Sequence, residues 1–123
     1  MNALLVFVGA GIGGVARYGV GHLLVRPSMT FPWPTLLVNV TGSFLITLFV
    51  GVMESRGLSP QWQAFLAIGV CGGYTTFSAF SFETLALMHA GHWDRAALYA
   101  IGSVVLCVGA ALVGLRIGAA LPA

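Results

Sequence analysis

Residues 69–83 read GVCGGYTTFSAFSFE, from Gly69 to Glu83, inside a run hydrophobic enough to cross a membrane. The paired Gly72 and Gly73, followed by Tyr74, Thr75 and Thr76, weaken a helix at mid-depth. The third of four membrane helices is therefore expected to break at Gly72–Thr75. Non-helical backbone at that depth is tolerated only where protein or a water-filled cavity satisfies its N–H and C=O groups. A break thus implies a site, and its freed carbonyl oxygens can coordinate a cation.

The rest of the chain fixes the setting. Of its 123 residues 59% are apolar and 7% charged, and the mean hydropathy is +0.99, against roughly 25% charged in soluble domains. The composition is that of an all-α integral membrane protein. Five arginines against Glu54, Glu83 and Asp94 leave a charge of +2, too small and scattered for a nucleic-acid surface. Cys71 and Cys107 sit in hydrophobic runs at no metal or redox spacing and read as small apolar side chains. The opening MNALLVFVGAG lacks the basic residues that precede a secretory leader, so the first helix is expected to stay in the protein.

Apolar runs of about 20 residues span a bilayer core of roughly 30 Å. Four are legible, at about 2–24, 34–53, 61–90 and 95–118, forming one membrane domain. The connectors VRPSMTFPWP, ESRGLSP and GHWDR carry proline, glycine and charge. Trp33, Trp62 and Trp93 lie at span edges, where an indole buries its ring and keeps its N–H wet. Near the helix ends, Arg56 and Arg116 fall on one side of the membrane and Arg26 and Arg95 on the other. A tie under the positive-inside bias favours neither orientation, and a chain inserted both ways builds an antiparallel homodimer. Two helix breaks would then meet on the two-fold axis and share a buried ion site.

In the first span, Gly9 and Gly13, with Ala10 and Gly14, let another backbone approach, as do Gly114 and Gly118 in the last. Arg17 lies about 15 residues into its span, where a charge is costly unless it snorkels or faces water or a partner; in the latter case it favours anions. In the second span Asn39, Ser43 and Thr47 follow at intervals of four and share a face. That stripe can join helices or line a water-filled path, with Asn39 offering two N–H donors. Beyond the break, Phe77 and Phe80 share a face with Ser81, beside Thr76 and Ser78. Phenylalanine here is ordinarily packing or lipid-facing, but a ring edge is electropositive and can contact an anion. With hydroxyls, Asn39 and no acidic ring, the set suits a small anion that sheds its water. Glu83 reads either as a proton-coupling group or as a structural acceptor; the second agrees better with an anion path.

Together GGVARY (13–18), NVTGSFLIT (39–47) and GGYTTFSAFSFE (72–83) closely resemble the small bacterial fluoride-channel family known as Fluc or CrcB. The last motif is specific; the first two are weak alone. The resemblance implies a double-barrelled antiparallel dimer in the bacterial inner membrane that exports fluoride passively, with no enzymatic step and a central structural Na+. It assigns the backbone carbonyls of Gly72 and Thr75 to that ion, and Asn39, Phe77, Phe80, Ser78, Ser81 and Ser103 to the pore. Arg17 falls at a vestibule. Ala79 departs from the family, many of whose members carry threonine there, and so removes a hydroxyl from the polar track. The rival is a small dual-topology, proton-coupled multidrug exporter, which needs an acid in its first helix; this first helix carries Arg17 and no acid. A subunit that serves only helix packing is the other alternative.

Overall fold

A computed structural model describes residues 1–121. Helix α1 (Asn2–Leu24) stops before Pro27, and α2 (Trp33–Arg56) carries Pro34 in its first turn, where no N–H is needed. Gly57 closes α2 in the left-handed region (φ 60°), its N–H donating to the Met53 carbonyl, a conformation that suits glycine. Helix α3 is composite: Pro60–Trp62, a π-helical stretch Gln63–Cys71, and a last turn Gly72–Tyr74. After Thr75 and Thr76 come α4 (Phe77–His89) and α5 (Trp93–Ala120). The four candidate spans are Asn2–Leu24, Trp33–Arg56, Pro60–His89 and Trp93–Ala120. At about 1.5 Å per residue each covers the bilayer core. The three tryptophans stand exposed in the opening turns of α2, α3 and α5.

The helices pair as α1 with α3 and α2 with α5, and α4 crosses onto α5. The break thus transfers the third span from one pair to the other. Glycine makes both pairs close. A Cβ on Gly9 would lie 2.5 Å from the Phe65 carbonyl oxygen and 3.0 Å from Gly69 Cα. One on Gly114 would meet the Phe44 carbonyl and, at 2.6 Å, Thr47 Oγ1. The small-residue faces read from the sequence are therefore backbone-to-backbone contacts, worth their dispersion and close packing where lipid offers no hydrophobic drive between helices.

The break expected at Gly72–Thr75 is present but shifted toward the C-terminus: the extended residues are Thr75 (φ −78°, ψ 158°), the last of that window, and Thr76 (φ −152°, ψ 119°), one past it. Gly72 and Gly73 are still helical. Gly73 is needed for another reason, since a Cβ there would run into the Ala10 backbone. The π-helical winding of residues 63–71 has no signature in the sequence.

Only a small share of each span is buried within the chain, from 11% of the first to 28% of the second. The small core gathers Leu36, Val38, Met53, Ala64, Ala67, Cys71, Ala96 and Tyr99. Most apolar side chains face outward, as lipid or another membrane subunit requires.

Candidate functional site

The break is held by one amide. Asn39 Nδ2 donates to the Thr76 carbonyl (3.0 Å), and the Thr76 N–H donates to Asn39 Oδ1 (2.8 Å). Of the two donors on that nitrogen, one is therefore engaged with backbone. Thr76 also caps α4: its Oγ1 accepts from the Ala79 N–H (3.1 Å) and lies 3.1 Å from Ser78 Oγ. An unbroken helix would send the Thr76 N–H to the Gly72 carbonyl and the Ala79 N–H to the Thr75 carbonyl. Both donors are diverted, so both carbonyls lose their regular helical partners.

Beside the break lies a cavity of about 370 Å³ lined by Asn39, Ser43, Thr75, Thr76, Phe77, Phe80, Ser103 and Cys107, with Ile46, Val104 and Val108. Phe77 and Phe80 sit side by side, with centroids 5.3 Å apart and planes at 44°. Phe80 also packs on Tyr99 at 5.1 Å. The Phe77 ring is 77% exposed, so this chain alone does not enclose it. Ser103 is 7% exposed, and its hydroxyl has no hydrogen-bond partner among the described residues. A buried hydroxyl without a partner is uncommon.

Glu83 ties three helices together. Thr35 Oγ1 of α2 donates to its Oε1 (2.7 Å) and the Tyr99 hydroxyl of α5 to its Oε2 (2.7 Å). The carboxylate accepts at both oxygens, which is the structural-acceptor reading. Arg17 borders a second cavity, of about 150 Å³, with Gly21, Pro34, Thr35, Val38, Thr76 and Ala79. A third, of about 480 Å³, opens between Arg26, Thr35 and Glu83. Thr35 is common to the second and third cavities, and Thr76 to the first and second. The three therefore follow one another from the first connector to the break.

Asn39, Phe77, Phe80, Ser103 and Thr75 are thus brought together at one cavity, with Arg17 at its neighbour. Ser78 and Ser81 are exposed on α4 and do not line the cavity; Ser81 Oγ donates to the Phe77 carbonyl (2.9 Å). Of the polar stripe on α2, Asn39 and Ser43 reach the cavity, while Thr47 turns back on the Ser43 and Phe44 carbonyls (3.1 Å each).

The sequence profile of the family described as "CrcB-like protein, Camphor Resistance (CrcB)" matches residues 4–115. The chain belongs to the CrcB family. Among CrcB-like proteins similar to it, one from Coxiella burnetii (strain Dugway 5J108-111) is 50% identical over 96% of this chain and 98% of its own length. Another, from Thermus thermophilus, is 48% identical over 96% of this chain and 95% of its own. Both are named fluoride-specific ion channel FluC. Four spans together with CrcB membership make this a multi-pass protein of the bacterial inner membrane.

Three residues at the site escaped the sequence reading: Thr35, Tyr99 and Cys107. Tyr99, Ser103 and Cys107 recur at intervals of four on α5, a periodicity that places them on one face. That signal was available, but it is masked by the apolar run around it. Thr35 carried none, because its partner Glu83 lies 48 residues away.

Proposed function

We propose that this CrcB-family chain is a fluoride-specific channel that lets cytoplasmic fluoride leave the cell passively. The observation that carries the reading is the cavity at the helix break, where Asn39, Ser103 and the Phe77–Phe80 pair converge, in a chain about half identical to proteins named for that activity. Fluoride is small and strongly hydrated, so a pore must replace much of its water shell. The free Ser103 hydroxyl, the second Asn39 N–H and the electropositive ring edges supply weak donors without a fixed positive charge that would hold the ion. Arg17 attracts the anion at the neighbouring cavity. The carboxylate that would repel it, Glu83, has a hydroxyl donor on each oxygen. Fluoride that enters as neutral HF and ionises inside needs only an open path outward, so no proton coupling is required. A drug exporter would need an acid on α1, which has none.

The working unit in this reading is an antiparallel homodimer with two pores. Two features support it. The Phe77 ring is 77% exposed and needs a second surface to become a pore wall. An apolar groove on α1, lined by Phe7, Val8, Ala10, Gly11, Ile12, Val15 and Ala16, offers such a surface. Ser78 and Ser81, exposed on α4, would face a pore only in the assembled pair. The Gly72 and Thr75 carbonyls suit a hard cation such as Na+, because the bonds made by Asn39 and Thr76 free them from helical duty. When bound, the ion would supply a positive charge that joins the two breaks. Fluoride efflux from liposomes containing only this protein, followed with a fluoride electrode, tests the proposal. Release no faster than from protein-free liposomes would overturn it.

A further inference from the structure

We infer that Phe31, in the connector between α1 and α2, is a positioning residue for the anion path, which sets the plane of the Phe80 ring through Tyr99. The inference rests on the channel reading above, in which the edge of that ring meets fluoride. Phe31 itself stands on another wall. It lines the 480 Å³ cavity at the connector, whereas Phe80 lines the 370 Å³ cavity at the break, whose described lining does not include Phe31. A series of ring contacts joins the two. Phe31 meets Tyr99 edge-on, with centroids 5.4 Å apart and planes at 84°. Tyr99 meets Phe80 at 5.1 Å and 47°, and Phe80 meets Phe77 at 5.3 Å and 44°.

Tyr99 is the joint of this series. It is 1% exposed, and its hydroxyl donates to Glu83 Oε2 at 2.7 Å. In a tyrosine, Cβ and the phenolic oxygen both lie on the χ2 axis, so that bond holds the tip without fixing the plane of the ring. The χ2 torsion of an aromatic side chain has only a broad, two-fold preference of its own. Packing therefore sets the plane, and the edge-to-face contact with Phe31 is a favoured geometry for a ring pair. Phe31 can serve as a fixed reference because its backbone is folded into a tight turn. Pro32 (φ −80°, ψ 61°) has the dihedrals of the central residue of an inverse γ-turn, and proline locks its own φ. Across it the Trp33 N–H donates to the Phe31 carbonyl at 2.8 Å. The same turn sets the Phe31 ring against Trp33, with centroids 4.7 Å apart. Loss of the Phe31 ring thus frees Tyr99 to turn about its axis, and Phe80 with it, while the bonds to Glu83 stay in place.

The experiment uses the full-length chain and two readouts. Fluorine NMR of meta-fluorophenylalanine placed at position 80, in fluoride-free micelles, reports how that ring is held, and fluoride efflux from liposomes reports passage. Phe31→Leu removes the ring, Phe31→Met fills the space without a plane, and Phe31→Tyr restores the plane. Phe65→Leu makes the same loss at a ring that meets Trp62 on α3. Phe31→Leu and Phe31→Met should each shift and broaden the resonance. Because an aromatic contact biases ring orientation by about two- to tenfold, efflux should fall by the same factor. Phe31→Tyr and Phe65→Leu should leave both readouts like the parent. An unchanged resonance in Phe31→Leu and Phe31→Met, an equal change in Phe65→Leu, or a Phe31→Tyr variant that behaves like Phe31→Leu would each overturn the inference. So would an altered resonance with parent-like efflux. Parent protein that carries no fluoride would overturn the channel reading and the effect on passage with it, while the resonance still reports whether Phe31 holds Phe80.

Discussion

Replacing Asn39 with alanine removes both hydrogen bonds that hold the helix break, at 3.0 and 2.8 Å. Two limits bracket the loss. Orphaning a buried backbone donor or acceptor costs about 1–3 kcal/mol each, which gives about 2–6 kcal/mol for the pair. Hydrogen bonds between membrane helices average about 0.6 and reach about 1.7 kcal/mol, which gives about 1–3 kcal/mol. The lower range should apply, because Thr76 borders the same cavity as Asn39 and water there can replace part of what the amide supplied. Ser43→Ala is the control: it lies one turn along α2 at the same cavity wall, holds no part of the break, and should cost less than about 0.5 kcal/mol. The assay is equilibrium unfolding in mixed micelles with rising sodium dodecyl sulfate, followed by fluorescence of Trp33, Trp62 and Trp93. If Asn39→Ala and Ser43→Ala unfold at the same midpoint, the amide is not what stabilises the break, and its hydrogen bonds to Thr76 contribute nothing net.

Other substitutions separate packing from passage. Phe77→Ile and Phe80→Ile keep bulk and apolarity but lose the ring quadrupole. Each should cut fluoride efflux at least about tenfold while the protein still assembles, as judged by size-exclusion chromatography; parent-like flux in both variants would make the rings mere packing. Gly73→Ala pushes a methyl into the Ala10 backbone and should destabilise by about 1–3 kcal/mol. Gly109→Ala, with nothing within 4 Å of the new carbon, should be neutral or gain up to about 1 kcal/mol in helix propensity, and the same unfolding titration orders the two. A single cysteine added at the N-terminus of a chain with both native cysteines removed should react with impermeant maleimide from both faces of the membrane. Labelling from one face only would exclude the antiparallel dimer.

Composition and period were enough to fix the membrane class, the four spans and their approximate limits, because lipid forces every spanning segment into a long apolar helix that local sequence can declare. The same logic made the break legible, since tandem glycines followed by two threonines weaken a helix where lipid otherwise demands one. What the glycines do there was decided only in three dimensions. Gly73 is small because Ala10 of α1 lies against it, and the chain turns extended two residues later, where Asn39 can take over the backbone. Sequence spacing put Asn39 on a polar stripe but left its duty open, because a side-chain amide serves an ion or a neighbouring helix with the same donors. Glu83 likewise became a tie between α2 and α5 only when folding brought Thr35 and Tyr99 to its two oxygens. The helix pairing, the π-helical winding of Gln63–Cys71 and the thiol at the cavity wall also belong to the tertiary structure. Contacts between helices depend on which small faces meet across tens of residues, and periodicity along one helix carries no record of its neighbour.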